Sequence, residues 1–155
     1  MTTLDHKLSK NFAFGELTRT GHGDLQAANR EAAEPYLQAL TALASTLLQP
    51  IRDHFGALTI TSGFRSKAVN QRIKGSKASQ HLLGQAVDFV PLSEGVELDE
   101  VFNWIRLGAL PFGQVIHEAP AATSQWIHLS LGSPWRKSDS REALRFDGRR
   151  YVAAR

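Results

Sequence analysis

The chain has 155 residues, 42% hydrophobic and 21% charged, which is the usage of one ordinary globular domain and excludes disordered, collagen-like and coiled-coil classes. It has no cysteine, so thiol nucleophiles, thiolate metal sites and disulfides are excluded, and any metal must be held by histidine and carboxylate. The net charge of +3 gathers at the C-terminal end, where Arg136, Lys137, Arg141, Arg145, Arg149, Arg150 and Arg155 are set against Asp139, Glu142 and Asp147.

In chain order, the opening MTTLDHKLSKNF lacks the apolar core of a secretory signal. Residues 25–55 carry the strongest helical pattern. Leu37, Leu40, Leu43, Ala44, Leu47, Leu48, Ile51 and Phe55 recur at three- and four-residue steps, the stripe of a core-facing helix. Pro35 suits a first turn, and Pro50 is expected to kink or restart the helix. Gly56 ends it, and residues 57–61 read as a short strand. Ser66 is an expected N-cap for a short helix through Val69 and Ile73, and residues 75–79 form a polar loop. Residues 85–90 are strand-like and stop at Pro91. Residues 97–107 form a second amphipathic helix, and 113–118 and 126–131 two more strands. Asp147-Gly148 between two apolar-containing runs signals a terminal hairpin. Early helices followed by hairpin-linked strands give a single α+β domain, residues 1–155, with a helical segment packed on a central antiparallel sheet. No apolar run approaches the roughly 20 residues of a membrane helix, so no membrane insertion is expected.

The chemistry concentrates in Ser79-Gln-His-Leu-Leu-Gly-Gln-Ala-Val-Asp88 and in Trp126-Ile-His-Leu-Ser130. Imidazole and carboxylate are ligand types that zinc accepts at about 2.0–2.2 Å. Along a strand, Trp126, His128 and Ser130 share one face, and Ile127, Leu129 and Leu131 share the apolar other. Two histidines and one aspartate from separate elements would leave a fourth position open, the arrangement of a catalytic rather than a structural zinc. From spacing alone, a histidine such as His128 is more often a satisfied structural residue than a ligand, and an aspartate at a strand end such as Asp88 is more often a turn or cap residue.

Ser62-Gly-Phe-Arg-Ser66, Val69-Asn70, Gly75-Ser76, Ser79-Gln-His81, Gly84, Ala86, Asp88 and Trp126-Ile-His128 together resemble the zinc D-Ala-D-Ala carboxypeptidase family. The likeness extends to its phage-like, single-domain subset through Leu8-Ser-Lys-Asn-Phe12, Phe14, Glu16, Leu17 and the basic C-terminal hairpin at 136–155. This resemblance implies the fold shared with the hedgehog signalling domain, and Zn²⁺ held by His81, Asp88 and His128. Many members place a carboxylate base three residues before the last histidine. Here that position is Gln125, whose amide cannot take a proton from water.

The resemblance therefore moves the base to Glu118, at the end of the strand 113–118, which a hairpin through 119–125 would set across from Trp126. His117-Glu118 is not a helical H-E-x-x-H site, because position 121 is Ala and Pro120 breaks a helix. His117 should point opposite to Glu118. Family members carry an arginine at the position of Arg65, implying a substrate-cleft residue that steadies charge developing on the attacked carbonyl; an arginine tying turn to helix fits the residues as well. Ser79 either contacts substrate or caps the turn before His81, and Trp126 walls the cleft.

The implied activity is zinc-dependent hydrolysis of a peptide bond in the stem peptide or cross-link of peptidoglycan. A chain made in the cytoplasm without a signal would reach the wall through holin-type release or delivery in a virion, as in phage or prophage lysis. A monomer is expected. A non-catalytic zinc-containing binding module of the hedgehog type is the alternative. The basic C-terminus could also meet an anionic envelope, but no basic-aromatic alternation supports a specific nucleic-acid partner.

Overall fold

The computed structural model describes residues 1–136 and 141–155. Lys137 and Asp139 of the basic C-terminal segment lie outside the described residues. A short helix α1 (Phe14–Leu17) precedes the long helical stretch, which is segmented rather than continuous. It comprises α2 (Gln26–Ala33), a 3-10 turn at Glu34–Tyr36 holding Pro35, α3 (Leu37–Leu43), a π turn at Ala44–Leu48 and α4 (Gln49–Phe55). Pro50 supplies the reason for the second break. It has no N–H, and its ring conflicts with the carbonyl four residues back, that of Thr46. The wider π turn containing Thr46 accommodates both effects without ending the helix.

Leu40, Leu43, Ala44, Leu47, Leu48 and Ile51 are all fully buried, so the stripe faces the core despite the breaks. Each leucine or isoleucine there contributes about 1.5–3 kcal/mol of burial. Short helix α5 (Lys67–Arg72) starts where Ser66 Oγ accepts from Val69 N–H at 3.2 Å. Helix α6 (Leu98–Leu107) buries Val101, Phe102 and Ile105.

Six strands form one sheet: β1 (Leu58–Ser62), β2 (Ala86–Pro91), β3 (Phe112–Ala121), β4 (Ser124–Leu131), β5 (Glu142–Phe146) and β6 (Tyr151–Ala153), in the order β1-β2-β4-β3-β5-β6. Neighbours are antiparallel except β3 and β5, so the expected antiparallel sheet is in fact mixed. The cause is where β4 ends. Leu131 lies beside Phe112 at the start of β3, and β5 begins only one pairing further along, with Glu142 beside Gln114. The chain thus rejoins the sheet near where it left and runs alongside β3 in the same direction.

Val87, Phe89, Val115, Ile127 and Leu129 form the apolar face and join the helical core. The opposite face carries Asp88, His128 and Glu118, because side chains alternate along each strand.

Candidate metal centre and its cleft

His81 sits in a 3-10 turn, Gln80–Leu83, whose start is capped by Ser79 Oγ accepting from His81 N–H at 3.3 Å. Gly84 closes the turn in the left-handed region, φ +66°, with Tyr36 and Leu40 packed against it so that an added Cβ would come within 3.1 Å of both. The turn therefore lies against the helical core, and His81 is 1% exposed. Its Nδ1 is 2.8 Å from the carbonyl of Gly63. A carbonyl only accepts, so Nδ1 carries the proton and Nε2 keeps its lone pair.

Asp88 and His128 are partners across the β2–β4 ladder and point the same way. Asp88 Oδ1 lies 2.9 Å from His128 Nδ1 and 3.3 Å from His81 Nε2. One ligand atom from each of the three residues falls within 4.8 Å of the others. His81 Nε2 is buried and has no hydrogen-bond partner among the described residues. Leaving it so costs about 1–3 kcal/mol, which a metal ion taking the lone pair removes. Two imidazoles and a carboxylate suit zinc and leave room for a further ligand. Burial lowers the pKa of His81, keeping the ring neutral as ligation requires. Burial pushes Asp88 upward, but His81 and His128 outweigh it and hold the carboxyl well below the usual range.

Glu118 stands directly opposite Trp126, and Ile116 opposite His128, along the β3–β4 ladder. Glu118 and His128 line the same open cleft of about 510 Å³, together with Ser79, Gln80, Gln114 and Tyr151. Burial raises the pKa of Glu118; His128 pulls it back, and the charge of Asp88 adds to the rise. The cleft thus juxtaposes a basic carboxylate with a three-ligand centre.

The Peptidase M15 family model matches residues 10–130, from before α1 almost to the end of β4. The chain belongs to the Peptidase M15 family. M15 peptidases are zinc-dependent, and in this member His81, Asp88 and His128 are the group able to hold the ion. The fold described above is consistent with the hedgehog/DD-peptidase-like architecture of the family. No curated protein matches the sequence.

Within this M15 framework the remaining predicted residues separate. Ser79 caps the His81 turn and also lines the cleft, so both of its readings have a structural basis. Arg65 lines two other clefts, not the one over Glu118. Its backbone N–H donates to the His81 carbonyl at 3.1 Å, and Nη1 donates to Asn70 Oδ1 at 3.1 Å, while Asn70 donates to the Ser76 carbonyl at 3.0 Å. This is the tying role, linking turn, helix and loop. Burial lowers the pKa of Arg65 and the Asp88 charge raises it, so its charge is felt at the ligand cluster. Trp126 is half-buried beside Glu118 on the site face but is not among the cleft-lining residues.

Gln125 and His117 belong to each other: Gln125 Oε1 lies 3.0 Å from His117 Nε2. His117 Nδ1 lies 3.2 Å from Arg145 Nη1, and the ring packs by Phe102 of α6, on the face away from Glu118. Sequence reasoning missed Trp135, Arg136 and Tyr151, which also line the cleft. Tyr151 Oη donates to Glu118 Oε1 at 3.5 Å. The signal for Tyr151 was present in the Asp147-Gly148 hairpin, but only the parallel docking of β5 on β3 brings it to Glu118.

Proposed function

We propose that this M15 member hydrolyses a peptide bond in the stem peptide or cross-link of peptidoglycan, with Glu118 as its general base. The observation that carries the reading is the shared cleft of Glu118 and His128, two pairings apart along the β3–β4 ladder and so on a single sheet face. Zinc held by His81, Asp88 and His128 supplies Lewis acidity, which makes water nucleophilic near neutral pH and polarises a peptide carbonyl.

The chain's own residues perform the rest. The Glu118 carboxylate accepts the proton of the attacking water and delivers it to the departing amine, and its pKa, raised by burial, makes it a stronger base than an ordinary carboxylate. Arg65 places positive charge behind Asp88 and His81, favouring the negative charge that develops on the attacked oxygen. Ser79 and Gln80 offer hydrogen-bonding groups along the cleft for an extended peptide. The resemblance to phage-like members supports a place in phage or prophage lysis, with the protein reaching the wall by holin-type release or in a virion.

The test is digestion of purified peptidoglycan with zinc-loaded protein, followed by mass spectrometry of released fragments. New peptide ends that vanish on chelation support the reading and identify the bond. Intact peptidoglycan, with zinc bound stoichiometrically, would instead favour a binding module of the hedgehog type.

A further inference from the structure

One wall of the cleft comes from chain beyond the family match: Trp135, Arg136 and Tyr151. Arg136 is held in place by its backbone N–H, which donates to the Gly132 carbonyl at 3.1 Å, and by a stem that runs over Gly113. A Cβ at Gly113 would meet Arg136 Cδ at 3.1 Å. The side chain is 25% exposed, and Nη1 is buried with no hydrogen-bond partner among the described residues. Nη2 lies 3.8 Å from Glu142 Oε1, beyond hydrogen-bonding reach, and that oxygen already accepts from Gln114 Nε2 at 2.5 Å. A guanidinium whose stem is held over Gly113 and whose donors are unspent among the described residues, in the wall of a cleft that also holds the proposed base, matches a planar, two-oxygen anion.

We propose that Arg136 is the carboxylate receptor of this cleft. It binds a free carboxylate of the peptide and so selects which bond is presented to Glu118. The inference rests on the peptidase reading and deepens it by naming what the substrate must carry. Glu142 partly neutralises Arg136 from 3.8 Å, and the entering carboxylate takes over that task at hydrogen-bonding distance.

Two carboxylates of a stem peptide could serve, the C-terminal one and the free one on its glutamate residue. The test is calorimetric titration of zinc-loaded Glu118→Gln protein, which binds without turnover, with a stem pentapeptide in three forms: free, amidated at the C-terminus, and amidated at the glutamate. One amide should bind about tenfold more weakly, or worse, and its identity tells which carboxylate is read. Adding Arg136→Gln should lower affinity for the free peptide to that of this amide, whereas Arg136→Lys should keep part of the difference. An undiminished difference in Arg136→Gln, equal weakening of all three forms, or no binding of any form would overturn the proposal. Equal zinc content and Tm across variants exclude a folding effect. Peptidoglycan digestion by the wild type separates the two failures: digestion with an undiminished difference removes Arg136 alone, and absent digestion removes the peptidase reading.

Discussion

His81 donates its Nδ1 proton to the carbonyl of Gly63 at 2.8 Å, and this contact decides which ring nitrogen meets Asp88 and His128. Gly63 itself has no room to change, since a Cβ there would come within 2.2 Å of the Leu17 carbonyl oxygen. Gly63→Ala should displace that strand end and release the His81 ring. Loss of such a supporting contact weakens metal affinity about 10- to 100-fold, and zinc titration against a competing chelator measures it. Unchanged affinity would show that the ring is oriented by something else.

Zinc should stabilise the chain by mass action. At about 100 times its Kd the gain is about 2.7 kcal/mol, or roughly 5–10 °C in Tm for a protein of this size. His81→Ala should remove the response to zinc, because the deeply buried ligand is gone. A thermal scan with and without zinc checks both statements.

Two pH dependences follow from the buried groups. In the zinc-free protein His81 has a lowered pKa, so below about pH 6.5 the unfolded chain takes up a proton that the folded chain refuses. Stability should therefore fall as pH drops through that value. Asp88, also lowered, should add a second loss below about pH 4. Urea midpoints between pH 8 and pH 3 measure both, and a flat profile would contradict them.

Activity should fall on the acid side at a higher pH than an ordinary carboxylate would give, since burial raises the pKa of Glu118. Tyr151 donates to that carboxylate and lowers its pKa, so Tyr151→Phe should move the acid limb to still higher pH. The readout is the pH profile of kcat/KM, not its height.

Much of this arrangement is legible in the sequence. Local period and local turn chemistry carried it: Trp126-Ile-His-Leu-Ser130 alternates, so the face of His128 could be read directly, and the hairpin through 119–125 set Glu118 opposite Trp126. The tautomer of His81 could not be read, because Gly63 is eighteen residues away and nothing local specifies the contact. Tyr151 was invisible for the same reason, since it reaches the cleft only through the return of β5 to the edge of β3, and Arg136 because its stem packs over Gly113 at the start of β3, far from it in sequence. The break at Pro50 was signalled by the proline itself and Pro35 by its fit to a first turn, whereas the 3-10 turn that joins α2 to α3 and the π turn that absorbs Pro50 carry no local signal.

Glu118 is the proposed base, and Gln125 is instead bound to His117, its Oε1 3.0 Å from His117 Nε2. The most direct measurement is kcat on released peptidoglycan peptides for the wild type, Glu118→Gln and Gln125→Ala, with zinc content determined on the same samples. Glu118→Gln should lose about 10²- to 10⁴-fold while keeping one zinc, and Gln125→Ala should turn over near the wild-type rate. Wild-type turnover by zinc-loaded Glu118→Gln would contradict the assignment.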